Sequence, residues 1–238
     1  MFAPDAFIRL LIKVYAKVLN RKYILSGKFP LPHGAKIIAI NHTDGCDPLF
    51  LPLLLAEKPH FLLQDGLFKI PVIGRLLKQS GQIPVYRESE HAREAFEQAC
   101  NLLRQGKTIV IFPEGKQVPV GERIPAKTGA VRMSLRTGAP IIPLGLYAPL
   151  QNLISVKFFF QGKECNGFWQ ISGESYARFG EPWLPGENQA QVKQPNVQTL
   201  TDELMNQIYG LVTDIVKETP CESHSSHRFI RPWLVEHL

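Results

Sequence analysis

Apolar and polar positions along this 238-residue chain follow two rhythms. Short apolar runs at residues 36–40, 60–63, 82–86, 108–112 and 140–147 predict strands. Helical patterns lie between them. Residues 67–79 carry Pro71 and Gly74, which predicts a broken or kinked helix. Residues 91–104 line up Ala92, Ala95, Phe96, Ala99, Leu102 and Leu103 on one side, and Gly106 follows as a stop. A short helix is expected over 129–136, ending at Thr137-Gly138. This alternation predicts an α/β fold with a mostly parallel central sheet flanked by helices. Beyond Tyr147 the pattern changes. Residues 156–161 and 168–172 read as a hairpin joined through 162–167. Residues 176–182 read as a further strand, and 186–196 as a polar loop. Residues 200–216 form a last helix, whose stripe Leu200, Leu204, Ile208, Leu211 and Ile215 has core packing as its default meaning.

The first thirty residues have their own character. From Phe7 to Asn20 the period is helical, with Phe7, Ile8, Leu11, Val14, Tyr15 and Val18 on one face and Arg9, Lys13 and Lys17 on another. Lys13 and Lys17 interrupt the apolar run and no small-residue cleavage site follows, so this is not a secretory signal. It is also short of the ~20 mostly apolar residues that span a bilayer. A basic amphipathic helix fits an anionic membrane surface, and it fits equally an ordinary helix packed on the domain. The expected division is an amphipathic membrane-interface helix over 1–30, one α/β domain over 31–219 and a tail over 220–238.

Charge sharpens that picture. Of 27 Lys and Arg and 21 Asp and Glu, residues 1–30 hold six basic and one acidic, leaving 21 against 20 for the rest. The basicity is therefore N-terminal, and a nucleic-acid partner is not expected, because such a footprint spreads over a folded face. The four cysteines, at 46, 100, 165 and 221, match neither metal-ligand spacing nor a disulfide framework, so a reducing cytosol is the default and no metal is expected. No Walker lysine motif or dinucleotide-binding glycine fingerprint is present.

Candidate chemistry gathers at the expected strand ends, where open parallel sheets bind ligands. After the first strand comes Asn41-His42-Thr43-Asp44-Gly45-Cys46-Asp47-Pro48. A histidine that takes a proton and a carboxylate that orients it are the minimum for activating a hydroxyl. Five residues of regular helix would turn the two side chains about 140° apart, so they meet only if the chain turns sharply at Asp44-Gly45. Asp47-Pro48 also reads as a helix cap followed by proline in the first turn. Arg87 closes the 82–86 run and can grip a phosphate, or pair with Glu88 or Glu90. Phe112-Pro113-Glu114-Gly115 ends the next strand. There Glu114 can accept from a substrate hydroxyl or orient a cation, and Gly115 lets the backbone approach a ligand. Lys116, Arg123, Lys127, Arg132 and Arg136 then face only Glu122. Cys46 is a competing nucleophile, but small-residue packing explains it better.

The order of these segments resembles the glycerolipid acyltransferase family, 1-acyl-glycerol-3-phosphate acyltransferases among them. Asn41-His42 with Asp47 is similar to its NHxxxxD motif, 81–87 to its second motif, and Phe112-Pro113-Glu114-Gly115 to its third. Ala139-Pro140-Ile141-Ile142-Pro143-Leu144 is similar to its fourth. The resemblance extends to Arg178-Phe179-Gly180-Glu181-Pro182 and makes 31–219 an acyltransferase domain. It implies transfer of an acyl group from acyl-CoA or an acyl-carrier protein to a lysophospholipid acceptor, with no cofactor, on the cytoplasmic side of a membrane as a peripheral protein. His42 is then the base and Asp47 its orienter. Arg87 would bind the acceptor phosphate, with Glu114, Gly115, Lys116, Arg123 and Lys127 shaping the acceptor site. An apolar groove beside the helix after Asp47 would hold the acyl chain. One departure stands out: the family continues Phe-Pro-Glu-Gly with Thr-Arg, whereas this chain has Lys116-Gln117, and lysine lacks arginine's planar fork. A Cys46–His42 thioesterase or hydrolase, and a non-catalytic lipid-binding protein of the same fold, are the alternative readings.

Overall fold

The computed structural model of the chain describes residues 4–19, 21–27, 31–45, 47–55, 57–86, 91–160, 163–187 and 196–219. The strands are β1 (Arg21–Gly27), β2 (Lys36–Ile40), β3 (Pro59–Gln64), β4 (Ile83–Val85), β5 (Thr108–Ile111), β6 (Ile141–Tyr147), β7 (Leu153–Phe160), β8 (Lys163–Gln170) and β9 (Gly173–Phe179). The helices are α1 (Pro4–Val18), α2 (Asp47–Leu54), α3 (Ile73–Gln79), α4 (His91–Arg104), α5 (Gly129–Thr137) and α6 (Val197–Glu218). Seven strands form one sheet in the order β1-β9-β6-β2-β5-β3-β4, and β7 and β8 pair separately. Within the large sheet every pairing is parallel except β6 with β9.

The central strands read as unbroken apolar runs because both of their faces are covered. Alternation divides them. Ile37, Ala39, Ile109, Ile111 and Ile141 face a core completed by Ala95, Ala99 and Leu103 of α4, Ala130 and Met133 of α5, and Leu200, Leu204 and Ile208 of α6. Ile38, Ile40, Val110, Ile142 and Leu144 face the other way, against Leu51 of α2 and Leu55 just after it. Beyond β2 the same alternation sends Asn41 and Thr43 toward α6, and His42 toward α2.

Two features differ from the sequence reading, and a third, the broken helix, is as expected. β1 was not anticipated. It lies at the sheet edge with Ile24 and Leu25 exposed, so no buried alternation marks it, yet it pairs with β9 from Arg21↔Gly173 to Gly27↔Phe179. The large sheet therefore begins before residue 31. The β7–β8 hairpin turns earlier than expected, since residues 163–167 are strand and Lys163 pairs with Phe160. Glu164 and Asn166 face solvent on this two-stranded ribbon, so they lack the apolar signal of a core strand. The broken helix resolves into a 3-10 turn at Asp65–Lys69 and α3, separated at residues 70–72. The tail and the sequence motif's Arg87 and Cys46 lie outside the described residues.

α1 sits on the domain through a narrow contact. Ile12 is buried, with Ala16, Leu53 and Trp169 packed against it. The Arg9 guanidinium donates to the carbonyls of Leu55 (3.3 Å) and Glu57 (3.4 Å), a cation just beyond the C-terminal end of α2. Leu11, Val14, Tyr15 and Val18 point outward with Leu10, and Val18 is 75% exposed. No helix among the described residues is long and apolar enough to cross a membrane.

Candidate active site

The turn after β2 is held by polar bonds on both sides of the chain. Asn41, buried, donates from its amide to the Leu146 carbonyl (2.8 Å) and accepts from the Leu146 N–H (2.7 Å), so it supplies the next rung between β2 and β6 from a side chain. The His42 N–H donates to Glu114 Oε2 at 2.7 Å, and the His42 carbonyl accepts from the Val118 N–H at 2.8 Å. Asp44 N–H donates to Asp47 Oδ2 (3.0 Å), and Asp47 N–H to the Asp44 carbonyl (3.1 Å). Gly45 N–H donates to the Phe168 carbonyl of β8 (2.8 Å), and Asp44 Oδ1 accepts from the Gln170 N–H (3.0 Å). These amides are spent on fixing the turn.

The sharp turn brings His42 and Asp47 together, with Nδ1 of the imidazole 3.3 Å from Asp47 Oδ2. With Asp47 ionised, the contact is a hydrogen bond in which Nδ1 donates, and that arrangement leaves Nε2 with its lone pair. The ring lies 4.4 Å from that of Phe112 and is mostly buried. Asp47 is 3% exposed, and burial, partly offset by its bond to His42, pushes its carboxyl above the usual carboxylate range. α2 begins at Asp47 itself, and the carboxylate turns back over the loop toward His42 and Asp44.

Glu114 is also buried, and both of its oxygens are engaged within the protein. Oε2 takes the His42 N–H, and Oε1 takes the Tyr209 hydroxyl of α6 at 2.7 Å. Burial raises the Glu114 carboxyl, while these two bonds oppose the shift, and burial together with Glu114 raises the Tyr209 phenol. Gly115 has φ 68°, and a methyl there would come about 3.0 Å from the Lys127 stem. Lys127 N–H donates to the Pro113 carbonyl at 2.8 Å. Arg123 stacks over the Tyr209 ring at 4.6 Å. Lys116 is exposed.

The structure thus gathers His42, Asp47 and Glu114 into one cluster, and pairs Gly115 with Lys127. Arg123 goes to the α6 side. There Asn41, Thr43, Glu114, Arg123, Tyr147 and Tyr209 border a cavity of about 230 Å³, on the sheet face opposite the His42 ring. Thr43 Oγ1 is buried with no partner among the described residues. Gln117, where the expected arginine is missing, holds the hairpin: it accepts from the Phe168 N–H (2.9 Å) and donates to the Phe168 carbonyl (3.3 Å). Beside α2, Leu51 and Leu55 pack against the sheet. Tyr209 and the hairpin backbone were missed in the sequence. A tyrosine beside the α6 stripe was the one signal, since a buried phenol needs a partner.

The turn thus sets a histidine against a buried carboxylate at the end of a strand in a mostly parallel α/β sheet, and the comparisons name the group. The model of the acyltransferase family matches residues 22–147, more than half of the chain, so the chain belongs to that family. It is 32% identical over 142 residues to a 1-acyl-sn-glycerol-3-phosphate acyltransferase of Borreliella burgdorferi, covering 59% of this chain and 57% of that one. It is 24% identical over 123 residues to a lyso-ornithine lipid O-acyltransferase of Rhodobacter capsulatus, covering 52% and 43%. The matches thus span about half the length of these relatives. The crystal structure of the 1-acyl-sn-glycerophosphate (LPA) acyltransferase PlsC from Thermotoga maritima shares the fold, with TM-score 0.66 at 18% identity over 91% of this chain and 83% of that one.

Proposed function

We propose that this protein is an O-acyltransferase that moves a fatty acyl group from an acyl thioester, on acyl-CoA or acyl-carrier protein, to a hydroxyl of a lysophospholipid such as 1-acyl-glycerol 3-phosphate. The observation that carries the reading is the His42–Asp47 contact, with a buried carboxylate beneath an imidazole at a sheet's C-terminal end. Asp47 holds the proton on Nδ1, and Nε2 takes the proton of the acceptor hydroxyl as its oxygen attacks the thioester carbonyl. The new C–O bond forms, the tetrahedral intermediate collapses with loss of the C–S bond, and His42 returns the proton to the departing sulfur. No acyl-enzyme is needed. Arg87 remains the proposed contact for the acceptor phosphate, with Gly115, Lys116 and Lys127 as the other candidates on the acceptor side; Arg123 lies with Tyr209 on the α6 side, across the sheet from the His42 ring. The test is product identification by mass spectrometry, with purified protein, both classes of donor, and lysophospholipid acceptors with and without phosphate. An absence of transfer with every pair, from protein shown to be folded, would overturn the reading.

The same reading places the protein on an anionic membrane surface, at the cytoplasmic face. The support is the outward stripe of α1 beside Lys13 and Lys17. Changing Leu11 and Val14 together to aspartate is expected to cut partition onto vesicles of phosphatidylglycerol and phosphatidylethanolamine by at least about tenfold. The melting temperature should hold, because both side chains are already exposed. Unchanged partition in a sedimentation assay would remove α1 as the membrane contact.

A further inference from the structure

We propose that Tyr209 is a positioning residue for acyl transfer, acting through Glu114 to hold the main chain of His42 and so to aim its imidazole. The proposal rests on the catalytic reading of His42 and adds a residue of α6, outside the sequence segments that carry the family resemblance.

The direction of a side chain is set by the peptide groups on either side of its Cα. At His42 both are pinned: the N–H by Glu114 and the carbonyl by the Val118 N–H. Past Ile40 the chain leaves the β2 ladder, so no sheet partner is left to do this. Glu114 can hold the His42 N–H only if the carboxylate is itself fixed, and the one other side chain shown on it is the Tyr209 hydroxyl. Tyr209 is in turn anchored by helix packing. Gly145 of β6 has no side chain, and a methyl there would meet Leu211 Cβ at 2.8 Å and Val212 N at 2.9 Å, so the glycine allows α6 to lie directly on the strand. Arg123 covers the outer face of the phenol ring. Arg178 of β9 pairs with Glu218 and fixes the far end of the same helix. Small displacements of a catalytic group are costly, because reactivity falls steeply with misalignment.

Tyr209→Phe removes one hydroxyl and keeps the ring. It is expected to lower kcat about tenfold while the KM for thioester and for acceptor stays within twofold. The Tyr209 bond favours the charged form of Glu114, so its loss should let Glu114 take a proton at higher pH. The acid limb of the kcat profile should therefore move upward in pH. Besides Tyr209, the groups that act on Glu114 are His42 and Asp47 of the turn, and Glu122, Arg123 and Tyr147 border the same cavity; none of them is altered. Glu114→Gln is the second variant. Its carbonyl still accepts from His42, but it carries no charge, like a protonated Glu114, so kcat should fall with both KM values within twofold, and the acid limb set by Glu114 should disappear. A Tyr209→Phe enzyme with unchanged kcat and profile would overturn the proposal, as would a Glu114→Gln enzyme impaired mainly in acceptor KM. One readout is independent of activity. The His42 amide resonance in a 15N spectrum should titrate with Glu114, and its midpoint should rise in Tyr209→Phe. An unmoved midpoint overturns the proposal even if the wild-type chain transfers no acyl group.

Discussion

Replacing His42 with alanine is expected to lower the turnover of acyl transfer on the order of 10³-fold, with substrate binding retained. The imidazole is the one base shown at this strand end whose free nitrogen is not already committed. Asp47 and Glu114 are both within hydrogen-bonding distance of His42, but both are buried and both are engaged with the turn. Neither can replace the missing nitrogen. The fold should survive, because the bonds that shape the turn use the His42 N–H and carbonyl, which alanine keeps. Only the contact with Phe112 and the bond to Asp47 disappear, so the melting temperature should fall by a few degrees, on the order of 1–2 kcal/mol. Full acyl transfer by purified, folded His42→Ala protein would dismiss the mechanism. It would leave the family assignment intact, since that rests on residues 22–147 as a whole.

Much of this site was legible before any coordinates. Ile37-Ile38-Ala39-Ile40 announces a strand buried on both faces, and Asp44-Gly45 announces the turn. Together they place His42 and Asp47 on one side of the chain's reversal, as found. What the sequence leaves open depends on contacts between distant segments. Nothing near Glu114 signals that its partners lie 72 residues before it and 95 after it. The same holds for Gln117. In sequence it is a missing arginine; in the fold it is a brace that grips both backbone groups of Phe168. β1 was hidden because an exposed edge strand shows no buried face. For α1 the period was read correctly, but a period cannot say which face the domain takes. Ile12 and Ala16 were taken, and the larger apolar stripe was left outside.

Asp47→Asn is expected to remove nearly as much activity as His42→Ala, several hundredfold to about 10³-fold, and to do so without weakening the fold. Asparagine is almost isosteric with aspartate. His42 Nδ1 and the Asp44 N–H meet the same carboxylate oxygen, Oδ2, so an amide with its carbonyl in that place keeps both bonds and loses only the charge. A neutral oxygen no longer stabilises the imidazolium that forms as His42 takes the acceptor's proton. The base is then held in place but is too weak for the proton transfer. Stability should go the other way. Burial raises the Asp47 carboxyl from 3.8, so the folded chain holds that proton more tightly than the unfolded chain. The wild type therefore loses this contribution as pH rises from 3.8 through the folded value, whereas a neutral amide has nothing to ionise. The Asp47→Asn protein should melt at or above the wild-type temperature at neutral pH, and its relative advantage should shrink as the pH is lowered through that window. Melting curves at pH 4 and pH 7, beside turnover measured at pH 7, check both halves. An inactive protein that also melts far below wild type would mean that Asp47 chiefly holds the turn together. An active one would mean that His42 does not need its orienter.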